Sequence, residues 1–77
     1  MGLTNLVEIY IKEILLVKDI TDEYATRMKR FNSDFFIEEP IYEVTMNVDC
    51  YGNKESVVKI WTKSEYETNV EKGYYML

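Results

Sequence analysis

Residues 41–51, IYEVTMNVDCY, alternate apolar and polar side chains: Tyr42, Val44, Met46, Val48 and Cys50 fall on one side, Glu43, Thr45, Asn47 and Asp49 on the other. A period of two is the repeat of a β-strand, and one oily face with one polar face is the signature of an antiparallel sheet covered on a single side. Pro40, which has no N–H to give to a ladder, stands at the start of the run. Gly52 and Asn53 accept positive φ, and residues 55–62, ESVVKIWT, read as the returning arm of a β-hairpin. Parity sets the loop length. A two-residue loop of Gly52 and Asn53 puts Lys59 opposite Met46 on the oily face. A three-residue loop that adds Tyr51 puts Val58 opposite Met46 and Ile60 opposite Val44, matching apolar with apolar. That register sends Val57 and Trp61 to the outer face.

The oily face of the hairpin needs a cover. Residues 6–17, LVEIYIKEILLV, carry apolar side chains at Leu6, Ile9, Tyr10, Ile14 and Val17, spacings that fit a helical stripe. A strand reading competes, because Val7, Ile9 and Ile11 alternate with Glu8, Tyr10 and Lys12. Length, the Glu8 and Lys12 pair four apart and a capping box from Asn5 to Glu8 favour the helix. Thr21 with Asp22 and Glu23 has the chemistry of a second helix start, whose inner face is Tyr24, Met28 and Phe31. Whether residues 5–31 form one bent helix or two is open at this stage. Ser64 with Glu67 reads as the capping box of a last helix that lays Tyr66 and Val70 on the sheet and stops at Gly73. Residues 74–77 are apolar enough for a third strand or a docked tail. The expected architecture is therefore α+β: an N-terminal helix or helical pair packed on one face of an antiparallel β-hairpin or small sheet, with a short C-terminal helix, residues 1–77 forming a single domain.

Length limits what this core can do. A chain of 77 residues buries only about 60% of its unfolded surface, so self-association is an available way to bury more. Cys50 is the one cysteine, which excludes an internal disulfide and points to a reducing compartment. The N-terminus has no basic region, and Glu8, Lys12 and Glu13 interrupt the apolar stretch that follows, so neither a signal peptide nor a membrane span is expected and the location reads as cytoplasmic. Leu6 stands where a myristoylation motif needs Ser or Thr. Fourteen acidic against nine basic residues give a formal charge of −5. Direct nucleic-acid binding is disfavoured, since that charge repels phosphate. Arg27, Lys29 and Arg30, the one basic cluster, suit a helix C-terminus.

Chemical tools are few. The sequence has no histidine, which removes the commonest general base and metal ligand, and a lone cysteine makes no zinc pattern. Cys50 on the oily side of a strand reads as an inert core thiol rather than a nucleophile. Asp34, Glu38, Glu39 and Glu43 lack the spacing of a calcium loop and read as a solvated acidic face. The glycines form no phosphate loop, so no cofactor, metal or catalytic residue is expected.

Eleven aromatic residues, seven of them tyrosine, are the informative surplus. A small core accounts for Tyr24, Phe31, Phe35, Phe36, Tyr42 and Tyr66. On parity Tyr51, Val57 and Trp61 fall on the sheet face away from the helices, and with Tyr74 and Tyr75 near the end of the chain they make the expected exposed interface. The expected function is a small non-catalytic interaction or regulatory domain that binds a protein through this apolar and aromatic surface, or through the wide face of the first helix to which Val7, Ile11, Leu15 and Leu16 add, as a homodimer in one version. The alternative is an acidic inhibitor, as a phage-encoded decoy would be, presenting Asp34, Glu38, Glu39, Glu43 and Asp49 to a basic nucleic-acid-binding protein. Salt separates the two, because a carboxylate mimic loses affinity steeply as ionic strength rises and an apolar contact does not.

Overall fold

The computed structural model describes residues 7–77. The elements run β1 (Glu8–Asp19), α1 (Thr21–Lys29), β2 (Ile41–Cys50), β3 (Asn53–Thr62), α2 (Lys63–Lys72) and β4 (Tyr74–Met76). The strands make one antiparallel sheet in the order β3-β2-β1-β4. The expected helix-led architecture is overturned, since the chain is mostly sheet and enters it with a strand. The capping box from Asn5 to Glu8 falls partly outside the described residues.

The helical spacing of the first segment has a physical origin in that strand. Beside β2, β1 makes two register shifts, between Ile11 and Glu13 and between Ile14 and Leu16. Each is a β-bulge, in which an extra residue enters one strand without advancing the pairing. The residues whose partners lie on the oily side of the sheet are then Ile9, opposite Tyr75, Ile11, opposite Val48, Ile14, opposite Met46, and Val17, opposite Val44. Their spacings are two, three and three, and two bulges in succession thus write a helix-like repeat into a strand. Tertiary pairing then decides, because β2 offers β1 a full ladder and an isolated helix of this length is marginal in water.

β2 is central and supplies the best-buried side chains: Val44 and Met46 at 0% exposure and Val48 at 1%. Ile9, Trp61 and Tyr75 complete that cluster, with Val7, Ile11, Ile14, Tyr42, Val57 and Tyr66 packed around it. Trp61 lies on β3 and Tyr75 on β4, at opposite edges of the sheet, yet their ring centroids are 5.3 Å apart and edge-to-face. Four flat strands spaced about 4.8 Å apart would hold the two edges about 14 Å from one another. The sheet is curled into a half-barrel, and the bulges in β1 supply bend and twist. α2 spans the concave side from the end of β3 to the start of β4, with Tyr66 edge-on to Tyr42 at 5.6 Å. Its capping box is formed by Thr62 and Glu65, not by Ser64 and Glu67: the Thr62 hydroxyl accepts from the Glu65 N–H at 3.2 Å and the Glu65 carboxylate from the Thr62 N–H at 2.9 Å. Gly73, at φ 84°, ends the helix as its sequence position implies. β4 fulfils the third-strand option for the C-terminus.

The hairpin register differs from the expected one by a residue. Cys50 pairs with Asn53, so the loop is Tyr51 and Gly52 alone, at φ 50° and 88°. Positive φ at both central positions is the type I′ hairpin turn, whose twist matches the strands. Met46 now faces Val57, Val44 faces Lys59 and Tyr42 faces Trp61. The burial of a lysine that argued against this parity does not arise. Lys59 sits on an edge strand, half-buried, with its ammonium 5.4 Å from the centre of the Tyr75 ring, so the stem covers apolar surface and the charge rests on a π face.

Tyr51 is a β-carbon residue at positive φ where asparagine is favoured. Tyr51→Asn is expected to raise stability by about 0.5–1 kcal/mol in denaturant unfolding. Trp61→Ala is expected to lower it by about 3–5 kcal/mol, the cost of emptying a core aromatic site. A loss under 1 kcal/mol for Trp61→Ala would contradict the inward register.

Candidate apolar face of the sheet

The structure separates the residues expected to form one exposed interface. Trp61 is 8% exposed and Tyr75 6%, both within the core, and Val57 is half-buried on the same concave side. Tyr74 is on the opposite face, 5.8 Å from Tyr10, with the Lys72 ammonium 4.9 Å from its ring centre. Tyr51 is exposed at the hairpin tip. The outward placement of Val57 and Trp61 is therefore corrected, and the physical reason is the two-residue turn, because a slip of one residue exchanges the two faces of a strand.

The convex face that results is built in rows across the ladder. Leu16 faces Thr45, which faces Val58; Lys18 faces Glu43, which faces Ile60. Leu16 is 57% exposed, Val58 56% and Ile60 46%, so neither helix covers this part of the sheet. The next row is polar and tied together: the Asn47 amide donates to the Glu13 carboxylate at 3.3 Å and accepts from the Ser56 hydroxyl at 2.6 Å. Beyond it lies an open trough of about 750 Å³ whose walls include Lys12, Glu13, Asp49, Lys54 and Glu55. Its mixed charges give no field of one sign to attract a ligand.

At the other end of the sheet, the apolar face meets α1 and the segment that follows it. Ile20 and Ile41 are buried there, the Ile20 N–H donates to the Ile41 carbonyl at 2.9 Å, and Tyr24 and Phe35 lie 6.2 Å apart. Phe36, 70% exposed, lines a shallow depression with Ile41 and Thr62, and Thr62 is the next convex position after Ile60 on β3. Phe31, expected in the inner face of α1, is instead 81% exposed. Sequence reasoning missed Val58 and Ile60, which it placed on the inner face. The signal for both was Gly52 read as the second residue of a type I′ turn, which Tyr51 in the first position obscured.

Besides Glu65, three carboxylates accept from the chain's own backbone. Asp19 accepts from the side chain and the N–H of Thr21, which holds its carboxyl below its ordinary range. The same Thr21 hydroxyl accepts from the Ile41 N–H at 3.0 Å and so links α1 to β2. Glu39 accepts from the Ser64 N–H at 2.6 Å, and that bond lowers its pKa likewise. Asp49 accepts from the Gly52 N–H at 2.8 Å inside the hairpin turn. Burial, by contrast, pushes the Tyr75 hydroxyl above its ordinary 10.0. Among the described residues no group of three or more Cys, Asp or Glu side chains is placed to hold a metal ion, and no helix is long and apolar enough to cross a membrane. Comparison with protein families, with curated proteins and with solved structures returns no match for this chain.

These shifts set the expected pH response. A carboxyl whose folded pKa is lowered adds stability above its unfolded value and loses it as pH falls through the folded one. Asp19→Asn and Glu39→Gln should each flatten the acid limb of melting temperature against pH. Tyr75, raised, adds stability below pH 10.0 that is lost as pH rises beyond it. Tyr75→Phe should flatten the alkaline limb.

Proposed function

We propose that this chain is a small non-catalytic protein-interaction domain that binds a partner through the convex face of its sheet. The observation that carries this reading is the group of Leu16, Val58 and Ile60, large aliphatic side chains each about half exposed on a face that neither helix covers. Contiguous exposed apolar surface rimmed by polar residues marks an interaction site more often than an accident. Here the rim is Lys18 and Glu43 beside Ile60, and Asn47 and Ser56 beside Val58. Phe36 extends the surface toward α1. Tyr51 and Tyr74 lie apart from it, and Trp61 and Tyr75 contribute by holding the curl that presents it.

The same geometry weighs against the acidic decoy. Glu39 and Asp49 each spend part of their acceptor capacity on a backbone N–H group of the chain, and Glu43 lies opposite Lys18 on the ladder, so three of the five carboxylates are not free of partners within the chain.

The test is capture of partners on the immobilised chain, comparing wild type with the double variant Val58→Ser, Ile60→Ser. Each substitution is expected to cost about 1 kcal/mol of strand preference, so folding of the variant is checked by circular dichroism and melting before capture. The expected result is a partner that the wild type keeps at about 1 M salt, where the screening length is about 3 Å, and that the double variant releases. A partner held equally by the variant, or eluted by salt alone, would contradict the reading.

A further inference from the structure

The two lateral edges of the sheet are unlike each other. β3 carries Lys54, Glu55, Ser56 and Lys59 along its length, the kind of charged edge that discourages strand addition. At the other side β4 pairs with β1 at residues 8–10 only, and the Gly73 carbonyl takes the Ile11 N–H at 2.9 Å. Along residues 12–19, among those described, nothing pairs with that side of β1. This open stretch contains Ile14, Leu15, Leu16 and Val17, of which Leu15 is 49% and Leu16 57% exposed. A long apolar edge with unpaired backbone groups is a template for another strand.

We infer that a second copy of this chain occupies this edge, its β1 antiparallel to the first, with a two-fold axis at Leu16. In such a ladder one position must lie opposite itself. Counting positions by their partners on β2, so that each bulge adds no step, three centres bring the apolar run together. Centring on Ile14 sets Glu13 against Leu16 of the second copy. Centring on Val17 sets Leu16 against Lys18 and Ile14 against Asp19. Centring on Leu16 sets Leu16 against Leu16, Ile14 against Val17 and Glu13 against Lys18, the last two pairs occurring twice by symmetry. The faces agree as well: Ile14 and Val17 share the concave side with Met46 and Val44, and Glu13, Leu16 and Lys18 share the convex side with Asn47, Thr45 and Glu43. One register alone satisfies every pair, in charge and in polarity. Its ladder spans residues 13–18 and stops short of Ile11, so β4 keeps its place. The product is one sheet continuous through both copies, and it lengthens the convex face on which Val58 and Ile60 lie. This deepens the interaction-domain reading by naming a second copy as one partner, at an edge distinct from those two residues.

Light scattering and sedimentation equilibrium of the full chain over a range of concentrations test it. The wild type should reach twice its mass of 9.2 kDa. Glu13→Lys and Lys18→Glu each create two like-charge contacts, and either alone should weaken dimerisation about tenfold, with folding checked by circular dichroism. An equal mixture of the two variants restores opposite charges at both contacts and should recover wild-type affinity as a heterodimer. The double variant Val58→Ser, Ile60→Ser should dimerise like the wild type, which separates a failure of this interface from a failure of the convex-face reading. A wild-type chain that stays monomeric into the millimolar range, or a dimer indifferent to the charge reversals, overturns the inference.

Discussion

The rings of Trp61 and Tyr75 come from the two outermost strands and meet over the middle of the sheet. That contact can exist only if the sheet is curled, and the curl is what lets a chain this short bury Val44, Met46 and Val48. A flat four-stranded sheet would need a second layer as wide as itself. This one folds its own edges inward and leaves a single ten-residue helix to span the remaining opening. The bulges in β1, the two-residue turn before β3 and the αL glycine before β4 are the local devices that bring the two rings into reach. Lys59 adds to the closure, its ammonium 5.4 Å from the centre of the Tyr75 ring.

A sheet closed in this manner has one covered face and one that is covered only at its Ile41 end. The covered face takes the large aromatic side chains because only they reach across the curl. The second face keeps the aliphatic residues of the opposite parity, Leu16, Val58 and Ile60, so its composition is a by-product of register until a partner is considered. The edges follow the same logic. β4 is short because α2 delivers the chain to the edge only at Gly73, and the rest of β1 is left to whatever strand can match its sequence of charges and aliphatic residues.

Much of the local structure was legible in the residues. The alternation of residues 41–51 identified β2 and its oily face, Thr21 marked the start of α1, and Gly73 marked the end of α2. The failures share a cause. Ile9, Ile14 and Val17 fit a helix because the bulges had rewritten a strand's period, and a bulge is visible only beside the partner strand. Val57 and Trp61 were assigned to the wrong face because the rule against burying Lys59 took no account of an aromatic ring waiting at the far edge. The candidate surface moved with them, from the aromatic residues to the aliphatic ones.

What the sequence determined by itself is local: which segments alternate, where the chain turns, which residues begin and end the helices, and which chemistries a chain without histidine and with one cysteine has few means to perform. Period, turn preference and capping depend on neighbours within a few positions, so they are written in the order of residues. The tertiary structure decided whether the first segment is helix or strand and which parity of β3 faces inward. Both depend on a pairing partner tens of residues away, and a single added residue in a loop or bulge reverses the outcome without changing the composition of either face.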